Sequence, residues 1–206
     1  MELLVDESIL ATNFVSATGT DTLEKVVALG RALEPDFLLL ALDETGTFRL
    51  VAGAVCFPSS WSLAKKMGLP LEQIHGVVPG LNDQLGKSIQ SYLARLMPGG
   101  VSLRSNWGLS RSPELNQHPD HHLLKLDASV GLGDVWLRVE DQALARLPKS
   151  GGILFGIRIW TRSLLELHEN PELRRHLRLA LETMPDAMAT YKGLAQARRR
   201  IVELLH

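Results

Sequence analysis

Apolar positions along the chain change period several times, and each change marks an element. Thr22, Leu23, Val26, Val27, Leu29 and Leu33 recur at helical spacing, so the first thirty or so residues read as helix, turn, helix. The run FLLLALD (Phe37–Asp43) is a buried strand, ETGT a turn, and FRLVAGAVCF (Phe48–Phe57) a second strand, so the pair reads as a hairpin that Pro58 ends. SSWSLAKKMG then predicts a short helix, capped at Ser59 or Ser60 and stopped at Gly68. Beyond a loop carrying His75, Pro79 opens a longer helix with Leu81, Leu85, Ile89, Tyr92, Leu93 and Leu96 in one stripe. VSLRSNWGLS (101–110) is a third strand, and Arg111 to Ser129 is a long polar loop rich in histidine and proline. DVWLRVED (Asp134–Asp141) and GILFGIRIWT (Gly152–Thr161) are strands four and five. From Leu164 to His206 the period is helical, broken at Asn170-Pro171 and Met184-Pro185. This order predicts an α+β class with one sheet.

Alternation within the strands separates their faces. Val135, Leu137 and Val139 oppose Trp136, Arg138 and Glu140. Ile153, Phe155, Ile157 and Ile159 oppose Leu154, Gly156, Arg158 and Trp160. A glycine at 156 costs stability inside a strand that otherwise favours β structure. Two readings stay open there: a flat ligand approaches the backbone, or a helix packs tightly on it. A histidine between Ile74 and Val77-Val78, with Gly76 beside it and Pro79-Gly80 beyond, is likewise either a satisfied core residue or a ligand.

Composition narrows the classes. A chain of 206 residues, 45% apolar, can form one domain with its own core. A net charge of −1 gives no electrostatic case for nucleic acid or an anionic membrane. The single cysteine, Cys56, excludes an internal disulfide framework and a multi-cysteine iron–sulfur or zinc site, which fits a reducing cytoplasm. MELLVDESIL lacks the basic and long apolar regions of a signal peptide, and no apolar run approaches a membrane span.

Several segments together carry a resemblance. VAGAVCFPSSWSLAKKMGLPLEQIHGVVPG, RSNW, LRVEDQALARLPKSGGILFGIRIW and YKGL occur in order, spanning roughly Asp36 to Leu205. In this the chain resembles the heme-dependent oxidative N-demethylase-like family, whose named member is the heme subunit of a dimethylamine oxidative demethylase. The resemblance implies one heme-binding PAS-like domain over 1–206. That domain would have a central antiparallel sheet flanked by helices, an N-terminal helical segment (1–35) and C-terminal helices (164–206). It implies heme b, O₂ and a small secondary amine as reactants, with formaldehyde released. Asp141 and Ala143 stand where the family often has a basic residue and threonine, a departure that bears on the substrate. Family members usually carry a longer N-terminal region.

Within that resemblance individual residues acquire roles. His75 becomes the axial ligand, since heme iron takes a neutral imidazole, and Gly76 would let the porphyrin approach. His118, His121 and His122 are alternatives in the polar loop. Glu140 is the carboxylate for a cationic amine, with Arg138 beside it; the other reading is an ion pair satisfying a partly buried strand. Arg104, Asn106 and Arg158 are candidates for heme propionates or bound oxygen. Cys56 falls within an apolar strand and reads as an inert core thiol. The tryptophans Trp61, Trp107 and Trp160 read as core. The chain has no Gly-rich dinucleotide motif after a strand and no cysteine cluster, so electrons would come from a separate flavin and iron–sulfur reductase. The arginines of AQARRRIVELL could dock that partner or be the solvated side of a helix. The competing functions are a heme-based gas or redox sensor and a ligand-binding module without catalysis.

Overall fold

The computed structural model describes residues 2–5, 24, 28 and 30–206. Its strands are β1 (Glu2–Val5), β2 (Asp36–Leu42), β3 (Phe48–Val55), β4 (Val101–Ser110), β5 (Trp136–Arg146) and β6 (Ile153–Ser163). They form one sheet in the order β1-β3-β2-β6-β5-β4. The pairs β1/β3, β2/β3 and β2/β6 are antiparallel. The helices are α1 (Leu71–His75), α2 (Leu81–Arg95), α3 (Leu164–His168), α4 (Pro171–Glu182), α5 (Asp186–Tyr191) and α6 (Arg198–Leu204). The class is α+β. No helix among the described residues is long and apolar enough to cross a membrane.

The chain divides into two compact units. The first comprises 1–105, 116–119 and 141–158; the second comprises 106–115, 120–140 and 159–206. Each has its own core. In the first unit Leu40, Phe48, Leu50, Leu63, Leu71, Leu93, Leu144 and Ile153 bury together, with Ile74 and Phe155 packed against them. On the other face of the sheet Phe37, Ala52 and Ala54 form a smaller cluster with Leu39 and Leu154. In the second unit Leu109, Val130 and Val135 pack with Leu164, Leu181, Leu194 and Ile201.

The β2–β3 hairpin is held at both ends by a carboxylate. At the turn, Asp43 Oδ1 accepts from the amides of Thr45 (2.9 Å) and Thr47 (3.0 Å), and Oδ2 accepts from Arg49 Nε (2.6 Å). Gly46 supplies the left-handed backbone the turn needs, at φ 79°. At the open end, buried Asp36 accepts from the amides of Cys56 (2.7 Å) and Phe57 (2.9 Å), which fixes where β3 leaves the sheet.

The strand expectations hold to within a few residues, and so do both proline breaks. Pro171 follows an Asn170 cap whose Oδ1 accepts from Glu172 and Leu173 amides, both at 3.1 Å. Three expectations fail, and a fourth lies mostly outside the described residues. Glu2–Val5 is a strand paired to β3 rather than helix, because the four residues lie along an available sheet edge. The predicted helical stripe over Thr22–Leu33 lies mostly outside the described residues; residues 30–32 are helical. Residues 59–68 form turns rather than a helix, because Ser60 adopts φ 60° and bonds across to the Gln117 carbonyl (3.1 Å) instead of capping. His75 ends the short helix α1 rather than lying in a loop, and α2 starts at Leu81 after Gly80 at φ 67°.

Candidate functional site

The first unit carries four of the predicted cofactor residues, and its sheet divides them. Leu71 and Ile74 of α1 pack against the same cluster as Phe155, so α1 and its last residue His75 belong to the Phe155 face. Arg104 belongs there too: its guanidinium lies 5.7 Å from the Phe155 ring centroid and its Nε donates to buried Gln142 Oε1 at 2.6 Å. His75 is half-buried, and its ring makes no hydrogen bond among the described residues. Burial holds its pKa below 6.5, and the charges of Arg104 and Lys66 push it the same way. The imidazole is therefore neutral, which is the form that binds a metal.

Gly156 and Arg158 point to the opposite face. There they line a cavity of about 470 Å³ with Pro35, Leu103, Asp141 and Ala143, and Arg104 and Gln142 reach it as well. A Cβ built on Gly156 meets nothing within 4 Å among the described residues, so none of their helices is packed on it. Gly53 is the packing glycine: its Cβ would lie 2.9 Å from Leu38 Cδ2 and 3.0 Å from the Phe37 carbonyl. Arg158 pairs with Glu34 at 3.0 Å in an exposed position. A ligand in this cavity would meet Arg104, Gly156 and Arg158, whereas His75 is not part of its lining. A larger hollow of about 670 Å³, between Tyr92, Arg95, Met97 and Val101, holds none of the candidate side chains.

The second unit carries Arg138, Glu140 and Asn106. Arg138 is buried and donates to the Glu114 carbonyl at 3.4 Å. Glu140 accepts from Asn106 Nδ2 at 3.3 Å. Asn106 Oδ1 in turn accepts from Lys192 Nζ at 3.3 Å, and the same ammonium donates to the Trp107 carbonyl. That ammonium lies 5.4 Å from the Trp107 ring centroid, within cation–π range. Burial lowers the Lys192 pKa against the opposing pull of Glu140. Burial raises the neighbouring Tyr191 phenol, and Glu140 adds to that rise. Sequence reasoning gave Lys192 and Tyr191 no role, although YKGL was among the segments that carried the resemblance.

The remaining candidates are accounted for locally. His118 is half-buried, while His121 and His122 are exposed. Burial raises the Cys56 thiol, with the Asp36 charge adding to it, so thiolate is disfavoured. Of the C-terminal arginines, Arg198 is held by Asp186 and the Met184 carbonyl. Arg200 donates to the Val130 carbonyl at 3.1 Å. No group of three or more His, Cys, Asp or Glu side chains that could hold a metal ion is found among the described residues.

Residues 3–202 match the family described as haem-dependent oxidative N-demethylase, alpha subunit-like, and the chain belongs to that family.

Proposed function

We propose that this protein is a heme-dependent oxidoreductase that removes an N-methyl group from a small secondary amine, with electrons from a separate flavin and iron–sulfur reductase. The observation that carries the reading is His75: a half-buried imidazole, held neutral, with no hydrogen bond to either ring nitrogen among the described residues. A neutral imidazole is the form that can occupy a ligand position on heme iron.

The residues present fit heme b in kind. His75 would hold the iron, and Arg104, on the same face of the sheet, would meet a propionate carboxylate. The PAS-like reading of the fold is supported by the same arrangement, a short helix carrying the ligand laid over one face of an antiparallel sheet. Bound heme supplies the redox chemistry, in which O₂ is reduced and an N-methyl carbon is oxidised and leaves as formaldehyde. Glu140 offers the carboxylate that a dialkylammonium requires, and Asn106 holds that carboxylate in place. Arg138, tied to the Glu114 carbonyl, places a positive charge on the same strand.

The test is spectroscopic first. Protein expressed with heme available should show a Soret band, and His75→Ala should lose it. Adding dimethylamine should shift the ferric spectrum, and a supplied reductase should then consume NADPH in an amine-dependent way. A colourless protein that rejects hemin refutes the reading. A Soret band with no response to amine leaves heme binding and removes the demethylase.

A further inference from the structure

We propose that Lys192 is a positioning residue for the Glu140 carboxylate and acts through the side-chain amide of Asn106; the proposal rests on the reading of Glu140 as the seat of the substrate ammonium. An asparagine amide has a donor end and an acceptor end, and its neighbours decide which way it points. Lys192 Nζ has only donors to offer and meets Oδ1, so Nδ2 is left facing Glu140 Oε2. The reverse orientation would set NH₂ against an ammonium and an oxygen against a carboxylate. Both contacts would repel. The polarity of Asn106 is thus locked at its two ends, and the lock holds one carboxylate oxygen of Glu140 in a fixed direction.

Lys192 is itself anchored. It caps the C-terminal end of α5, donates to the Trp107 carbonyl and lies over the Trp107 indole. Trp107 packs against the core of the second unit, so the anchor is tied to that core. A long flexible side chain held by a backbone carbonyl and a ring has already given up much of its rotamer freedom. It can therefore hold Asn106 at little further entropic cost.

The sign of one substitution separates positioning from simple charge. Removing a cation near a carboxylate should by itself tighten a cationic ligand. If Lys192 positions Glu140, Lys192→Met weakens the ligand instead. The probe is dimethylammonium chloride, titrated calorimetrically into the full-length protein expressed with heme supplied. Lys192→Met should bind about tenfold more weakly, the cost of one lost hydrogen bond to a charged group. Lys192→Arg, which keeps charge and donors, should recover most of that loss. Asn106→Ala should match Lys192→Met, and the double variant should be no worse than either alone, because the two act in series.

Wild-type or tighter binding by Lys192→Met overturns the proposal, and so do additive losses in the double variant. Should Lys192→Met not fold, Asn106→Ala binding at wild-type affinity overturns it equally. Glu140→Gln tells this failure from that of the underlying reading. If Glu140→Gln keeps wild-type affinity, Glu140 is not the amine seat. If it loses affinity while Lys192→Met does not, the relay alone is wrong.

Discussion

Replacing Gly156 by valine tests the division of the sheet into two faces. Glycine in a strand interior is about 0.5–1 kcal/mol less stable than alanine, and β-branching adds a fraction of the roughly 1 kcal/mol range of strand propensity. A Cβ at this position meets nothing within 4 Å among the described residues, so no overpacking offsets the gain. The expected net change is a stabilisation of about 1 kcal/mol, or roughly 2–4 °C in melting temperature for a chain of this size. Gly53→Ala is the internal control. Its Cβ would lie 3.0 Å from the Phe37 carbonyl, a backbone atom that cannot move aside, and overpacking of about 1–3 kcal/mol exceeds the propensity gain. Differential scanning fluorimetry of the two variants gives the contrast, and hemin titration gives the functional half. The new side chain points away from the Phe155 face, so heme held by His75 should be retained in Gly156→Val. A melting temperature that falls as in Gly53→Ala would refute the open-face argument. Loss of the Soret band with the fold intact would move the macrocycle to the Gly156 face and release His75 from its role.

Three further outcomes follow from the geometry. The His75 ring should titrate below 6.5 in a histidine-resolved NMR experiment; since its folded pKa lies below the unfolded value, stability is full above about pH 6.5 and declines as pH falls through that value, and a midpoint at or above 6.5 refutes the neutral-imidazole argument. Asp43→Asn should destabilise the protein by about 1–2 kcal/mol in urea unfolding, because the Arg49 pairing and part of the turn bonding go. The Asp43 carboxyl is held well below its usual range by the Thr45 hydroxyl first and Arg49 next, so the wild-type contribution is present above about pH 3.8 and is lost only as pH falls below it. Asn170→Ala should cost about 1 kcal/mol in the same assay through loss of the α4 cap, whereas Asn170→Asp should be close to neutral.

Strands and proline breaks were legible in the sequence because their causes are local. Alternation set the faces of β5 and β6, and a missing backbone donor set where α4 and α5 begin. What could not be read locally was decided by partners far along the chain. SSWSLAKKMG carries a serviceable helix signal, yet Ser60 is drawn into a bond with Gln117, and the turn conformation that results excludes the helix. MELLV offers no turn signal and no long period, so only the neighbouring edge of β3 reveals it as a strand.

The candidate site divides the same way. The apolar flanks of His75 left two readings open, and only the resemblance singled it out as a ligand candidate. That Gly156 faces away from it was not legible, because alternation gives two faces but says nothing of which one a helix will cover. The packing of Ile74 and Phe155 against one cluster that includes Leu71 supplies that missing fact. Glu140 was legible as a carboxylate on a strand. Its tie to Lys192 runs through Asn106, 86 residues from the lysine, and no periodicity reports a contact at that range. A family segment without an assigned role, YKGL, was the one sequence signal available. The geometry explains why such a segment would matter: the lysine there fixes an amide, and the amide fixes a carboxylate, so a side chain that touches no substrate can still set how tightly one binds.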